Sequence, residues 1–214
     1  MDNFAHLIDT PRLLALAAAL GWASGIRLYA VIFLVGAAGF MGWIPLPPGL
    51  HVLQHPGVLA ASGFMCAMEF FADKVPWIDS VWDAIHTVIR IPAGAALAAG
   101  VFGASGDTHA MSWVAAILGG SLAATSHATK MTTRAAVNTS PEPFSNIAVS
   151  LFEDGFVVFM LWLSATHPVV FAIALVLTIA VSVLLLVALV KFLRLVIDQI
   201  RKFLGGGGRP QLYR

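Results

Sequence analysis

The 214-residue chain predicts an all-α, polytopic membrane protein. Three observations carry that prediction. Hydrophobic residues make up 59% of the chain and charged residues 11%, with a mean hydropathy of +0.87, whereas soluble domains hold about 45–50% apolar and about 25% charged residues. Several apolar runs approach the roughly 20 residues that cross a hydrocarbon core about 30 Å thick. The runs are continuous Leu, Val and Ala stretches without the in–out alternation of a barrel. A backbone in lipid must satisfy its own hydrogen bonds, which leaves helices.

The first apolar segment covers residues 13–42. Arg12 followed by LLALAAALGWA imitates a secretory signal, but a second apolar run follows at once, so the stretch reads as a first span. As one helix it would reach about 45 Å, far beyond the core. Strong tilt, or a broken or re-entrant segment with its break near Ser24 and Gly25, is therefore expected. A proline-rich turn, WIPLPPGLHVLQHP, leads into segment 57–72. In 77–90 the residues Trp77, Ile78, Val81, Trp82, Ile85, Val88 and Ile89 recur at helical spacing, with Asp79, Asp83, His86 and Arg90 opposite. That pattern predicts an amphipathic helix lying in the cytoplasmic interface, its polar face solvated. Segment 91–106 is short and glycine-rich, as a half-helix would be. Segments 111–129, 147–166 and 168–192 follow, giving about six in all. A basic helix and a glycine-rich end complete the chain, so residues 1–204 read as one membrane domain and 205–214 as a flexible tail.

Lys and Arg residues fall before the first segment (Arg12), around the 73–90 connection (Lys74, Arg90), around 130–146 (Lys130, Arg134) and after the last segment. The remaining connections hold none. The inside bias of these residues puts both termini in the cytoplasm, with six membrane segments. Arg27 alone among the cations fits no loop. LGWASGIR (20–27) and LAATSHATK (122–130) each place small and hydroxyl residues before a cation, with Glu69 and Glu153 downstream. Three segments separate them, which suggests an inverted repeat.

An arginine in mid-membrane costs about 2.5–3.5 kcal/mol on insertion scales, so Arg27 needs a partner: Glu153, Glu69 or a substrate. Asn146, Ser150 and Glu153 share one helical face at i, i+4, i+7. Glu153 and the adjacent Asp154 cannot both ionise cheaply in a low dielectric, so they are expected to find a cation or hold a proton. Ser121, Thr125 and Thr129 form a hydroxyl row beside a cationic row of His127, Lys130 and Arg134. Bonding back to the i−4 carbonyl is the structural alternative for the hydroxyls. The loop NTSPEPFSN adds Asn138, Ser140 and Asn146, with Pro141 and Pro143 forbidding a continuous helix. Arg27, Lys130, Arg134, Asn138, Ser140 and Asn146 thus become candidates for binding an anion, and Glu153, Asp154 and Glu69 for carrying a proton. Glu69, Asp73, Asp79, Asp83 and His86 could hold a divalent metal, though their spacing matches no metal signature. No cofactor motif, nucleophile elbow or P-loop is present, the single Cys66 excludes a disulfide framework, and nothing suggests nucleic acid.

The stretches ASGIRLYAVIFLVG, EFFADKVPWIDSVWDAIHTVIRIPAGAALAAG, HATKMTTRAAVNTSPEPFSN and SLFEDG resemble a bacterial family of small polytopic membrane proteins defined only as a domain of unknown function. The resemblance covers about residues 13–190 and implies an inner-membrane location, without an activity. The residues themselves point to a small secondary transporter or lipid-headgroup translocator for a phosphate- or carboxylate-bearing substrate, with membrane lipid as neighbour and homo-oligomerisation open. A metal-dependent enzyme acting on a phospho- or prenyl-lipid, and a non-catalytic scaffold, are the alternatives.

Overall fold

The computed structural model describes residues 10–103, 109–139 and 143–205. Ser140, Pro141 and the tail from 206 onward lie outside the described residues. Among the described residues six α-helices follow one another: α1 (Thr10–Phe40), α2 (Pro56–Ala72), α3 (Ile78–Phe102), α4 (His109–Val137), α5 (Pro143–Thr166) and α6 (Pro168–Gly205), with a 3-10 helix over Pro48–Gln54. Among the described residues there is no strand. Pro56, Pro143 and Pro168 each open a helix, where the missing N–H is no loss and the fixed φ already suits the first turn. Helices α1, α3, α5 and α6 are long and apolar enough to cross a membrane. α4 is 29 residues long but carries its own charges, and α2 is shorter, at 17 residues.

Two expectations about elements need correction. The interfacial helix expected over 77–90 and the half-helix expected after it are instead one helix, α3, continuous from Ile78 to Phe102 with Pro92 inside it. Its polar face is also not solvated. Asp79, Asp83, His86 and Arg90 are buried, while Ile78, Val81, Ile85, Val88 and Ile89 point outward. A periodic pattern fixes two faces but not which solvent each meets. Here lipid takes the apolar face and the protein interior takes the charges.

α1 does break close to Ser24 and Gly25, at Arg27. Arg27 has φ −140° and ψ 68° between two helical halves. The first half is held where small residues let three backbones approach. A Cβ on Gly21 would stand 2.5 Å from Gly119 Cα of α4, one on Gly94 of α3 2.7 Å from Ala123 Cβ, and one on Gly119 2.3 Å from Ala98 Cβ. Such contacts drive association between helices already in lipid, where no hydrophobic force brings them together.

This packing predicts opposite outcomes for two glycines. Gly119→Ala should lower stability by about 1–3 kcal/mol through overpacking. Gly155→Ala on α5, whose Cβ would meet nothing within 4 Å, should be neutral or stabilise by about 0.5–1 kcal/mol. Unfolding of both variants in detergent checks the contrast, and similar losses would contradict it.

Candidate functional site

The break in α1 is where the site begins. Interrupting a helix leaves the carbonyls of the preceding turn without amide partners. Those of Gly25 and Ile26 are taken instead by side chains from α3 and α4. Arg90 Nη1 donates to both, at 3.3 and 3.1 Å, and Lys130 Nζ donates to Ile26 at 3.2 Å. His127 meets the Gly25 carbonyl with Nδ1 at 3.2 Å and the Thr87 hydroxyl with Nε2 at 2.8 Å. Ser126 Oγ donates to the Trp22 carbonyl at 2.7 Å.

Around this point four cations, Arg27, Arg90, Lys130 and Arg134, and four carboxylates, Glu69, Asp73, Asp79 and Asp83, are buried together. Removing an ion from water costs several kcal/mol even after relaxation, so none could sit there alone. Asp73, which closes the last turn of α2, is the hub. It accepts from Arg27 Nη1 and from Lys130 Nζ at 2.7 Å, with Arg134 Nη2 3.9 Å away. Its own carbonyl receives Arg134 Nη1 at 2.9 Å. Arg90 Nη2 bridges Glu69 at 2.5 Å and Asp83 at 3.0 Å, and Lys130 reaches the same Asp83 oxygen at 3.1 Å.

α5 closes the cluster with the predicted face. Arg27 Nη2 donates to the Ser150 hydroxyl at 2.9 Å and carbonyl at 3.2 Å. Its Nε lies 2.9 Å from Asp154 Oδ1, and its Nη2 3.6 Å from Glu153 Oε2. Arg134 Nη2 donates to that same Glu153 oxygen at 2.5 Å. Asn146 donates to Asn138 at 2.9 Å, and Asn138 to Asp79 at 2.8 Å, tying the start of α5 to the start of α3. Lys74 completes the rim, 3.7 Å from Asp154.

The structure therefore brings Arg27, Lys130, Arg134, Asn138, Asn146, Glu153, Asp154 and Glu69 into one network. Of the two acids expected as partners of Arg27, Glu153 lies beside it, whereas Glu69 belongs to Arg90; Asp73 and Asp154 also hold Arg27. Arg90 was placed by sequence in a loop and is instead a core residue, because α3 continues through it. The residues considered for a metal are engaged otherwise. Glu69, Asp73, Asp79 and Asp83 face arginine, lysine or asparagine, and His86 Nδ1 meets the Trp82 carbonyl at 2.7 Å. Among the described residues no three His, Cys, Asp or Glu converge to hold a metal ion. Ser121, Thr125 and Thr129 bond back to their i−4 carbonyls at 2.7–2.9 Å, the structural reading of that row.

A cavity of about 380 Å³ lies beside the network between α1, α4, α5 and α6. Of the charged residues only Lys130 and Glu153 line it. Lys130 Nζ donates to Ile26 and Asp73 and lies 3.1 Å from Asp83 Oδ1. Glu153 Oε1 accepts no hydrogen bond among the described residues, and its side chain is 12% exposed. Glu153 is thus the acid through which the network meets this cavity.

Depth in the network ranks the acids. Asp73→Asn leaves several buried cations under-compensated and should cost about 3–5 kcal/mol. Asp154→Asn, at a side chain 28% exposed, should cost about 1 kcal/mol or less. Equal losses on unfolding in detergent would contradict the ranking.

No curated protein and no solved structure matches the chain. Residues 14–188 match the family described as a domain of unknown function, DUF4126, and the chain belongs to that family.

Proposed function

We propose that the chain is a small secondary transporter or lipid-headgroup translocator that moves a phosphate- or carboxylate-bearing group together with a proton. In this reading α1 to α6 all cross the bacterial inner membrane, both termini are cytoplasmic, and α1–α3 and α4–α6 are inverted halves. The halves exchange partners in a way that suits such a repeat. Arg27 of the first meets Glu153 and Asp154 of the second, and Lys130 and Arg134 of the second meet Asp73 of the first. A broken helix at the contact between halves is a recurring feature of secondary transporters.

The observation that carries the reading is the double engagement of Glu153, which lines the cavity and holds Arg134 at 2.5 Å. While ionised, it occupies Arg134. A proton on Glu153 cancels its charge and releases Arg134 Nη2, while Nη1 stays on the Asp73 carbonyl, so an anionic headgroup can take the carboxylate's place. Charge supports the exchange. The network holds six carboxylates, Glu69, Asp73, Asp79, Asp83, Glu153 and Asp154, against five cations, Arg27, Lys74, Arg90, Lys130 and Arg134, one net negative when all are ionised. A proton arriving with a monovalent anion restores the same total, and a low-dielectric site penalises any change in its net charge.

Proteoliposomes loaded with a pH-sensitive dye test the coupling while phosphate- and carboxylate-bearing compounds are presented outside. Wild type should take up protons with the compound. Glu153→Gln should still exchange the compound but lose proton uptake to the protein-free level, and Arg27→Ala should lose both. Equal flux in all three proteins would remove these residues from the mechanism and leave the charges a role only in fixing helix register.

A further inference from the structure

We infer that the anionic substrate is an amphiphile that enters sideways from the bilayer, its chain lying between α5 and α6 and its headgroup at Glu153. The inference rests on the proposed exchange at Glu153 and names the class of molecule that takes part in it. The mouth of the cavity is rimmed by Phe152 of α5 and by Leu177, Val181 and Leu185 of α6, all exposed on the outer surface of the bundle. In a protein whose outer surface faces lipid, an opening bordered by such residues communicates with acyl chains. A hydrated ion would have to shed its water to cross it.

The same cavity is also lined by Lys130 and Glu153, with Thr133 of α4 and Ser182 of α6. Hydrogens on Ser126, Thr129 and Thr178 are spent on backbone carbonyls. The hydroxyls of Thr133 and Ser182 make no hydrogen bond among the described residues and are free to donate. Apolar walls with a few polar groups, in a volume of about 380 Å³, match the usual form of a small-molecule site. The outer wall is also the one best able to part for a chain, since α6 is the least buried of the four long apolar helices. Trp22 and Phe156, in edge-on contact at 5.4 Å, form the aromatic floor.

Native mass spectrometry of the full chain released from detergent tests this with three probes: dodecyl phosphate, inorganic phosphate and dodecyltrimethylammonium. One dodecyl phosphate should be retained at a concentration at least about tenfold below that needed for either other probe, since burying even two methylenes is worth about that factor. Ser182→Trp, which fills the cavity, should lose this retention. Leu184→Trp, on the exposed side of α6 away from the cavity lining, should keep it. Inorganic phosphate retained as well as dodecyl phosphate would overturn the amphiphile and leave the proposed exchange standing. Equal retention of dodecyltrimethylammonium would overturn the anionic headgroup, and with it the proposed function. Retention unchanged in Ser182→Trp would place the molecule elsewhere and overturn the site. Should Ser182→Trp fail to fold, the comparison of the three probes on wild type still decides.

Discussion

Everything in this bundle depends on the compensation of charge around Asp73. Four buried cations and four buried carboxylates are tolerable only as a set, because each alone would cost several kcal/mol in a low-dielectric interior. Asp73 joins α1 to α4 by accepting from Arg27 and Lys130. Its carbonyl brings Arg134 into the same cluster. The helices could not separate without exposing these groups to lipid, so the network fixes helix register as firmly as the glycine contacts fix distance.

The break at Arg27 belongs to the same logic. A continuous helix would keep the Gly25 and Ile26 carbonyls inside its own ladder. The interruption turns them toward Arg90, His127 and Lys130, so the cations of α3 and α4 gain acceptors that no side chain supplies. An overlong apolar segment and a misplaced arginine are thus two signs of one device.

That device was partly legible in the sequence. Its length forced a break or tilt on residues 13–42, and the cost of a buried arginine demanded a partner. The spacing of Asn146, Ser150 and Glu153 also marked the face of α5 that meets the cluster. The identity of the partner was not legible. Asp73 lies 46 positions from Arg27, and no local pattern separates it from Glu69, which is equally buried but faces Arg90. α3 misled for a different reason. An amphipathic period looks the same whether its polar face meets water or a charged protein interior, and only the buried complement on α2 and α4 decides.

At the edge of this closed set stands Glu153, bonded inward to Arg134 and open outward to the cavity. The central claim is that this one acid exchanges a proton while the enclosed acids do not. Infrared difference spectroscopy of the reconstituted protein across a pH titration tests it directly. The account predicts a carboxyl band that appears on acidification of wild type and is smaller in Glu153→Gln by the contribution of one carboxyl group. The same band persisting undiminished in Glu153→Gln would contradict it.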